Sequence, residues 1–219
     1  MAFQVSPGVQ VKETDLTNVV PAVSTSIGAI AGAFQWGPVG EITTVSSEQA
    51  LVNIFGKPNA NTAKYFYPAA QFLQYGNSLR VVRALTGNLN ATTSGTGLLV
   101  KNDEHFASVT PGGTDTFLAR FPGVLGNSLK VSVCPADATA FAAWAYASSF
   151  DAIPSTSAYS VANSGDTADE MHIVVLDEDG AITGAAGTVL ETFAFVSQAS
   201  DAKAADGTDN YYANVINNS

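Results

Sequence analysis

Hydrophobic and polar positions along the chain follow two different periods, and the change between them marks its elements. After Ser6-Pro7-Gly8, Val9 and Val11 alternate with Gln10 and Lys12 up to Glu13, and a period of two predicts a strand. No hairpin partner follows closely, so this strand must pair far along the chain or on another chain. Thr25–Phe34 is small and apolar with glycines at 28 and 32, which predicts a buried strand packed close to its neighbours. Trp36-Gly37-Pro38 turns the chain, and Glu41–Val45 reads as a further strand. Ser46–Phe55 has the helical period: Ser46 and Gln49 fit a capping box, and Leu51, Val52 and Phe55 share a face. Gly56 supplies the terminating position and Pro58 prevents continuation. A second helix starts between Thr62 and Pro68 and ends at Gly76, with Ala69, Ala70, Phe72 and Leu73 on its apolar side. Leu79–Leu85 is then a strand, so the order is strand, helix, helix, strand.

Residues 86–97 are rich in Gly, Ser, Thr and Asn and read as a loop. Leu98–Val100 predicts a short strand before a turn at Asn102-Asp103, and Thr114–Arg120 a helical turn ending at Pro122-Gly123. Gly126-Asn127-Ser128-Leu129-Lys130-Val131 echoes Gly76-Asn77-Ser78-Leu79-Arg80-Val81, a shared start-of-strand grammar too short to be a duplication. Met171–Leu176, a turn at Asp177–Gly180 and Ala181–Thr183 form a predicted hairpin. Val189–Val196 fits a strand or a short helix, and Tyr211, Tyr212, Val215 and Ile216 close the chain without a stop signal, as though it were cut there. The fold class expected is α+β: a mixed sheet or sandwich-like domain flanked by a few helices, with an extended arm at residues 1–20. Residues 21–219 form the mixed domain, in halves 21–85 and 117–219 around a short loop or hairpin at 86–116. Its core is expected to be one cluster of Phe55, Phe72, Leu73, Val81, Val82, Leu129, Val131 and Val133.

Composition narrows the function classes. The 219 residues are 46% hydrophobic and 13% charged, which excludes a disordered tail. Charge is segregated: residues 1–130 carry eight Lys/Arg against seven Asp/Glu, a net of +1, whereas 131–219 carry one against twelve, a net of −11. An acidic half with no basic patch argues against nucleic-acid binding. The single cysteine, Cys134, lies beside the apolar Val131–Val133 run and is expected to be buried and inert. The opening MAFQVSPG lacks the regions of a secretory signal, and no stretch reaches the length of a spanning helix. The expected setting is a cytoplasm, until assembly.

A search for catalytic, cofactor and metal chemistry assigns no residue to any of them. His105 and His172 have no metal-ligand spacing around them and read as satisfied or solvent-facing imidazoles. There is no G-x-S-x-G elbow, and Gly56-Lys57 runs into Pro58, which breaks the phosphate-loop pattern. Asp177-x-Asp179-Gly180 faintly resembles the start of a calcium loop, but Thr188 stands where the bidentate Glu belongs. A plain turn is the better reading. Asn90-Ala91-Thr92 matches a glycosylation sequon by pattern alone.

Several segments, in order, resemble the tail sheath proteins of contractile-tailed phages. They are Ser6–Glu13, Phe34–Pro38, Leu51–Pro58, Phe72–Ala84 and Phe121–Val133. The resemblance spans residues 6–133 and is looser beyond. It implies a structural subunit, not an enzyme, of a helical sleeve around an inner tube, whose contraction drives the tube through a bacterial envelope. It implies an N-terminal arm that adds a strand to a neighbour's sheet, which makes Ser6, Pro7, Gly8, Val9, Val11 and Glu13 the candidate inter-subunit residues. The implied partners are other copies, the inner tail tube protein, and baseplate and tail terminator proteins, without direct nucleic acid or membrane insertion. The implied location is the virion tail, assembled in the host cytoplasm. Family members run longer, so a C-terminal tube-lining domain is expected to be absent from these residues. Two other readings stand beside it: a baseplate or capsid component, and a β-rich carbohydrate-binding module using Trp36, Trp144 and Tyr146 as stacking platforms.

Overall fold

The computed structural model of the chain describes residues 27–85, 87, 89–93, 97–109, 117–163 and 165–219. It is an α+β fold with two separate three-stranded sheets. The first contains β1 (Ile27–Gly32), β2 (Ile42–Val45) and β3 (Ser78–Arg83) in the order β1-β3-β2. β1 runs parallel to β3 and β2 antiparallel to it. Between β2 and β3 come α1 (Glu48–Phe55) and α2 (Ala63–Leu73), as the periodicity predicts.

One face of this sheet makes the first core. Val45, Leu79 and Val81 pack with Phe34, Leu51, Phe55, Phe66, Ala69 and Ala70, and all are buried. The rings of α2 rest directly on the glycines of β1. A Cβ on Gly28 would lie 2.7 Å from the Phe72 ring, and one on Gly32 would lie 2.6 Å from that of Tyr65. The close approach expected at these glycines is therefore present, but β1 is not the fully buried strand expected. Ile27, Ala29 and Ala31 are exposed, as are Ile42, Thr44 and Arg80 across the same face.

Helix α1 starts one residue later than the capping-box reading places it. Ser47, not Ser46, is the cap, and its hydroxyl accepts from the Ala50 amide at 3.2 Å. Val45 is buried as the last residue of β2, and Ser46 is spent in leaving the sheet. Gln49 bonds Asn53 instead. Gly56 closes the helix at φ +79°. Helix α2 follows Thr62, which is buried in a reciprocal turn with Asn59, and Pro68 lies inside it.

In the middle of the chain, Asn102 caps a short helix, α3 (Asp103–Ser108), through the His105 amide, where a turn is expected. Leu98 makes an isolated bridge to Asn90, not a strand. Leu118 bridges Thr92 in extended conformation, so the described part of Thr114–Arg120 is not helical. Backbone bonds to residues 91 and 93 hold it extended instead.

The second sheet is antiparallel throughout: β4 (Leu129–Pro135), β5 (Glu170–Asp177) and β6 (Thr188–Ser197) in that order. A 3-10 turn, Val124–Ser128, leads into β4. Helix α4 (Ala138–Ala143), a second 3-10 turn (Ala147–Ser149) and α5 (Ala158–Asn163) connect β4 to β5, and α6 (Tyr212–Asn217) follows β6. The hairpin from β5 returns as β6, not at Ala181–Thr183, which lies in the connecting loop. Val189–Val196 is strand. Met171, Ile173, Phe193 and Val196 form the second core, against Phe117, Val131, Val175, Tyr212, Val215 and Ile216.

The single core expected from the sequence is thus divided. Phe55 and Val81 lie in the first cluster with Phe72 and Leu73 at its margin, and Val131 lies beside the second. Leu129 and Val82 are half-buried, and Val133 is 41% exposed. The two Gly-Asn-Ser-Leu segments begin strands in different sheets, so the shared grammar does not bring them together.

Candidate functional site

The residues expected to carry assembly, Ser6, Pro7, Gly8, Val9, Val11 and Glu13, lie outside the described residues, as does the whole of the arm at 1–20. What the described residues contribute is the surface and the framework around it. The open face of the first sheet is the main apolar feature. Ile27 is 55% and Ile42 64% exposed, with Arg80 between them on the central strand. A parallel pair such as β1 and β3 is normally covered on both faces.

Ion pairs lie elsewhere on the surface. A cleft of about 2280 Å³ runs between the sheets, lined by residues including Trp36, Asn53, Phe117 and Tyr212. Its rim holds Arg120 paired with Asp103 at 2.9 Å and Lys130 paired with Glu178. No group of three or more His, Cys, Asp or Glu side chains is placed to hold a metal among the described residues. None of their helices is long and apolar enough to cross a membrane.

Four buried polar side chains tie segments together. Arg83 is 4% exposed at the end of β3 and has no carboxylate partner among the described residues. It donates to the carbonyls of Phe34 (3.0 Å), Gly37 (2.7 Å), Gln35 (3.2 Å) and Pro122 (2.6 Å). Burial pulls its guanidinium down to about 10. Asn90, 1% exposed, donates to the Val100 and Ala119 carbonyls and accepts from the Val100 amide. The sequon asparagine is thus part of the interior.

Asp177 is fully buried where the calcium loop was weighed. Its carboxylate accepts from the hydroxyls of Ser128 (2.5 Å) and Thr183 (2.8 Å) and from the amides of Ile182 (3.0 Å) and Thr183 (2.7 Å). Burial works to raise its pKa, but these donors outweigh that and hold it at about 2. At the other end of β5, Asp169 accepts from Ser157 and Ser197 and is likewise held low against the opposing effect of burial.

His172 is fully buried, with its ring stacked on Phe150 at 4.1 Å. Strand β6 bulges opposite it, since Met171 pairs with Val196 and Ile173 with Phe193. The bulge holds Phe195 at φ +53° and aims its amide at Nδ1 (3.1 Å), so Nε2 donates to the Ala152 carbonyl (2.9 Å). His105 sits on α3, where Nδ1 accepts from the Lys101 amide. Both imidazoles are satisfied, as expected.

The aromatic platforms of the carbohydrate reading are spent on packing. Trp36 meets Phe121 edge-on at 5.6 Å, and Trp144 stacks on Phe150 at 5.3 Å while donating to Ser132 and meeting Tyr146 edge-on. Cys134 is 1% exposed, and burial pushes its thiol up.

The sequence reading passed over Arg83 and Asp169, and it saw Asn90 only as a sequon by pattern and Asp177 as a turn residue. For Arg83 a signal existed. Leu79, Val81 and Arg83 fall on one face of β3 by period two, and the first two are core. An arginine at an inward position has to find acceptors.

A family model described as tail sheath protein Gp18 domain III N-terminal region matches residues 25–84, the segment that contains the whole first sheet. The tail sheath protein of Salmonella phage ViI is 36% identical over 193 residues, 86% of this chain and 28% of that protein. The chain is similar to tail sheath proteins along most of its length. The tail sheath protein of Enterobacteria phage T4 is 48% identical over 103 residues, covering 42% of this chain and 16% of the T4 protein. That of Vibrio phage KVP40 is 49% identical over 78 residues, 36% and 12% respectively. Aligned residues thus span less than a third of each tail sheath relative. Among solved structures, the sheath tail protein Lin1278 from Listeria innocua matches at 15% identity and a TM-score of 0.40, over 77% of this chain and 26% of that one.

Proposed function

We propose that the chain is a structural subunit of a contractile phage tail sheath. It polymerises with copies of itself around an inner tube, and contraction of the sleeve drives the tube through the bacterial envelope. The observation that carries this reading is the 36% identity to a tail sheath protein across 86% of the chain. The likeness to sheath proteins and the packing of the aromatic residues favour it over a carbohydrate-binding module. In this reading residues 1–20 are the inter-subunit arm, with Ser6, Pro7, Gly8, Val9, Val11 and Glu13 in an added strand. Residues 21–219 are the outer domain, whose acidic part from 131 onward faces solvent, since its net of −11 would repel its own copies. The inner tube, the baseplate and the tail terminator are the other partners, in a virion assembled in the host cytoplasm. The work of contraction comes from a metastable lattice relaxing into a better-packed one.

Electron microscopy of the phage particle with this chain tagged tests the proposal. The tag should decorate the sleeve along its length, and deletion of residues 1–20 should abolish polymerisation. A tag confined to the capsid or the baseplate overturns the reading. A sleeve that still assembles without residues 1–20 overturns the arm.

A further inference from the structure

Several contacts connect the two sheets, and one of them is built around a buried cation. Among the described residues the sheets share no ladder, and their apolar clusters are separate. Where residues 34–37, which follow β1, meet residues 121–126, which lead into β4, the backbones touch. Gly123 has φ +141°, and a Cβ there would lie 2.8 Å from the Gln35 carbonyl oxygen and 3.0 Å from Nη2 of Arg83. Trp36 packs edge-on against Phe121, and a Cβ on Gly126 would lie 3.3 Å from its indole.

Arg83 sits at this contact, and the form of its cage matters. Three of its four carbonyls belong to residues 34–37, on the side of the first sheet, and the fourth to Pro122, on the side of the second. Backbone carbonyls cannot swing aside as side chains do, so moving one segment relative to the other breaks bonds to a buried cation. A guanidinium offers five N–H groups in a fixed plane and here reaches four carbonyls on two sides, whereas an ammonium has only three N–H groups on a single nitrogen. An unpaired charge at 4% exposure is costly enough to keep the cage shut.

We propose that Arg83 welds the two sheets into one rigid body, so that the second sheet keeps a fixed orientation on the first wherever the first is carried. Arg83 is a positioning residue. It acts through the 34–37 and 122 carbonyls and makes this junction a joint without play, where a chain with two separate cores would otherwise bend. The meaning for contraction rests on the sheath reading: subunits would transmit motion outward without internal loss. The joint itself does not depend on that reading.

Spin labels at Tyr75→Cys, beyond the end of α2, and Ala205→Cys, after β6, report the distance between the two units in a Cys134→Ser background. Both positions are exposed. The parent chain should give one narrow distance peak. Arg83→Met should broaden it while amide exchange at Val81 and Ile173 stays slow, because each sheet keeps its own core. Arg83→Lys should broaden it too, since charge without the fork does not span the junction. If Arg83→Met does not fold, Gly123→Ala carries the test, since it forces a methyl between Gln35 and the guanidinium and should open the same joint. A broad peak in the parent overturns the weld, as does an unchanged narrow peak in a folded Arg83→Met or Gly123→Ala. Because the isolated chain is measured, these outcomes are separate from whether it forms a sheath.

Discussion

At the scale of single residues, the stability of the second sheet depends on acids held in their charged form. Asp177 fixes the 3-10 turn at Ser128 and the loop after β5 with one carboxylate. Its folded pKa of about 2 lies below the ordinary 3.8. The unfolded chain therefore takes up the proton first, and stability is lost as pH falls from about 4 toward about 2, being complete above that window. Asp177→Asn should cost about 2 kcal/mol at neutral pH, the range of hydrogen bonds to a charged group. The gap between parent and variant should close as pH approaches 2. Thermal melts between pH 2 and pH 7 check this, and a gap that does not change with pH would mean the carboxylate charge contributes nothing. None of this was legible in the sequence, where Asp177-Glu178-Asp179-Gly180 reads as a plain hairpin turn. The donors that make Asp177 interior come from Ser128, 49 positions away, and from a loop whose path no local pattern reveals.

At the scale of elements, the sequence was read well where a period and a stop signal agreed. Helices α1 and α2 and strands β1, β2 and β3 lie within a few residues of their expected places, because Gly56, Pro58 and Gly76 punctuate a clear periodicity. The errors come where two local rules compete. Ser46 and Ser47 are both good caps, and only the end of β2 at Val45 decides between them. Ser47→Ala should therefore destabilise the chain by about 1 kcal/mol, and Ser46→Ala by much less. Chemical denaturation of the two variants checks this, and equal costs would restore the earlier cap. The short helix α3 was missed because Asn102 is as good a turn residue as a cap. The candidate assembly residues Ser6–Glu13 rest on sequence and family likeness, and their proposed pairing is a matter for the assembled particle.

At the scale of the molecule, two cores stand where one was expected. Tertiary pairing of β4 with β5 is a long-range choice that the repeated Gly-Asn-Ser-Leu segment cannot encode. The two cores should respond separately to damage. Phe55, 1% exposed, fills the first, and Phe55→Ala should cost about 3–5 kcal/mol by loss of contact and formation of a cavity. Amide exchange measured by mass spectrometry should accelerate through β3 at a temperature where β5 remains protected. Equal acceleration in both would mean that the sheets unfold as a unit.

The chain's one thiol turns this separation into something that can be timed. Cys134 lies near the end of β4, paired in register with His172 and closed to solvent. A colourimetric thiol reagent can reach it only when that edge opens, and the colour then develops at the rate of opening. With no other sulfhydryl in the sequence, the signal has a single source and needs no engineered label. The second sheet carries its own stopwatch, and a lesion confined to the first should leave the reading unchanged.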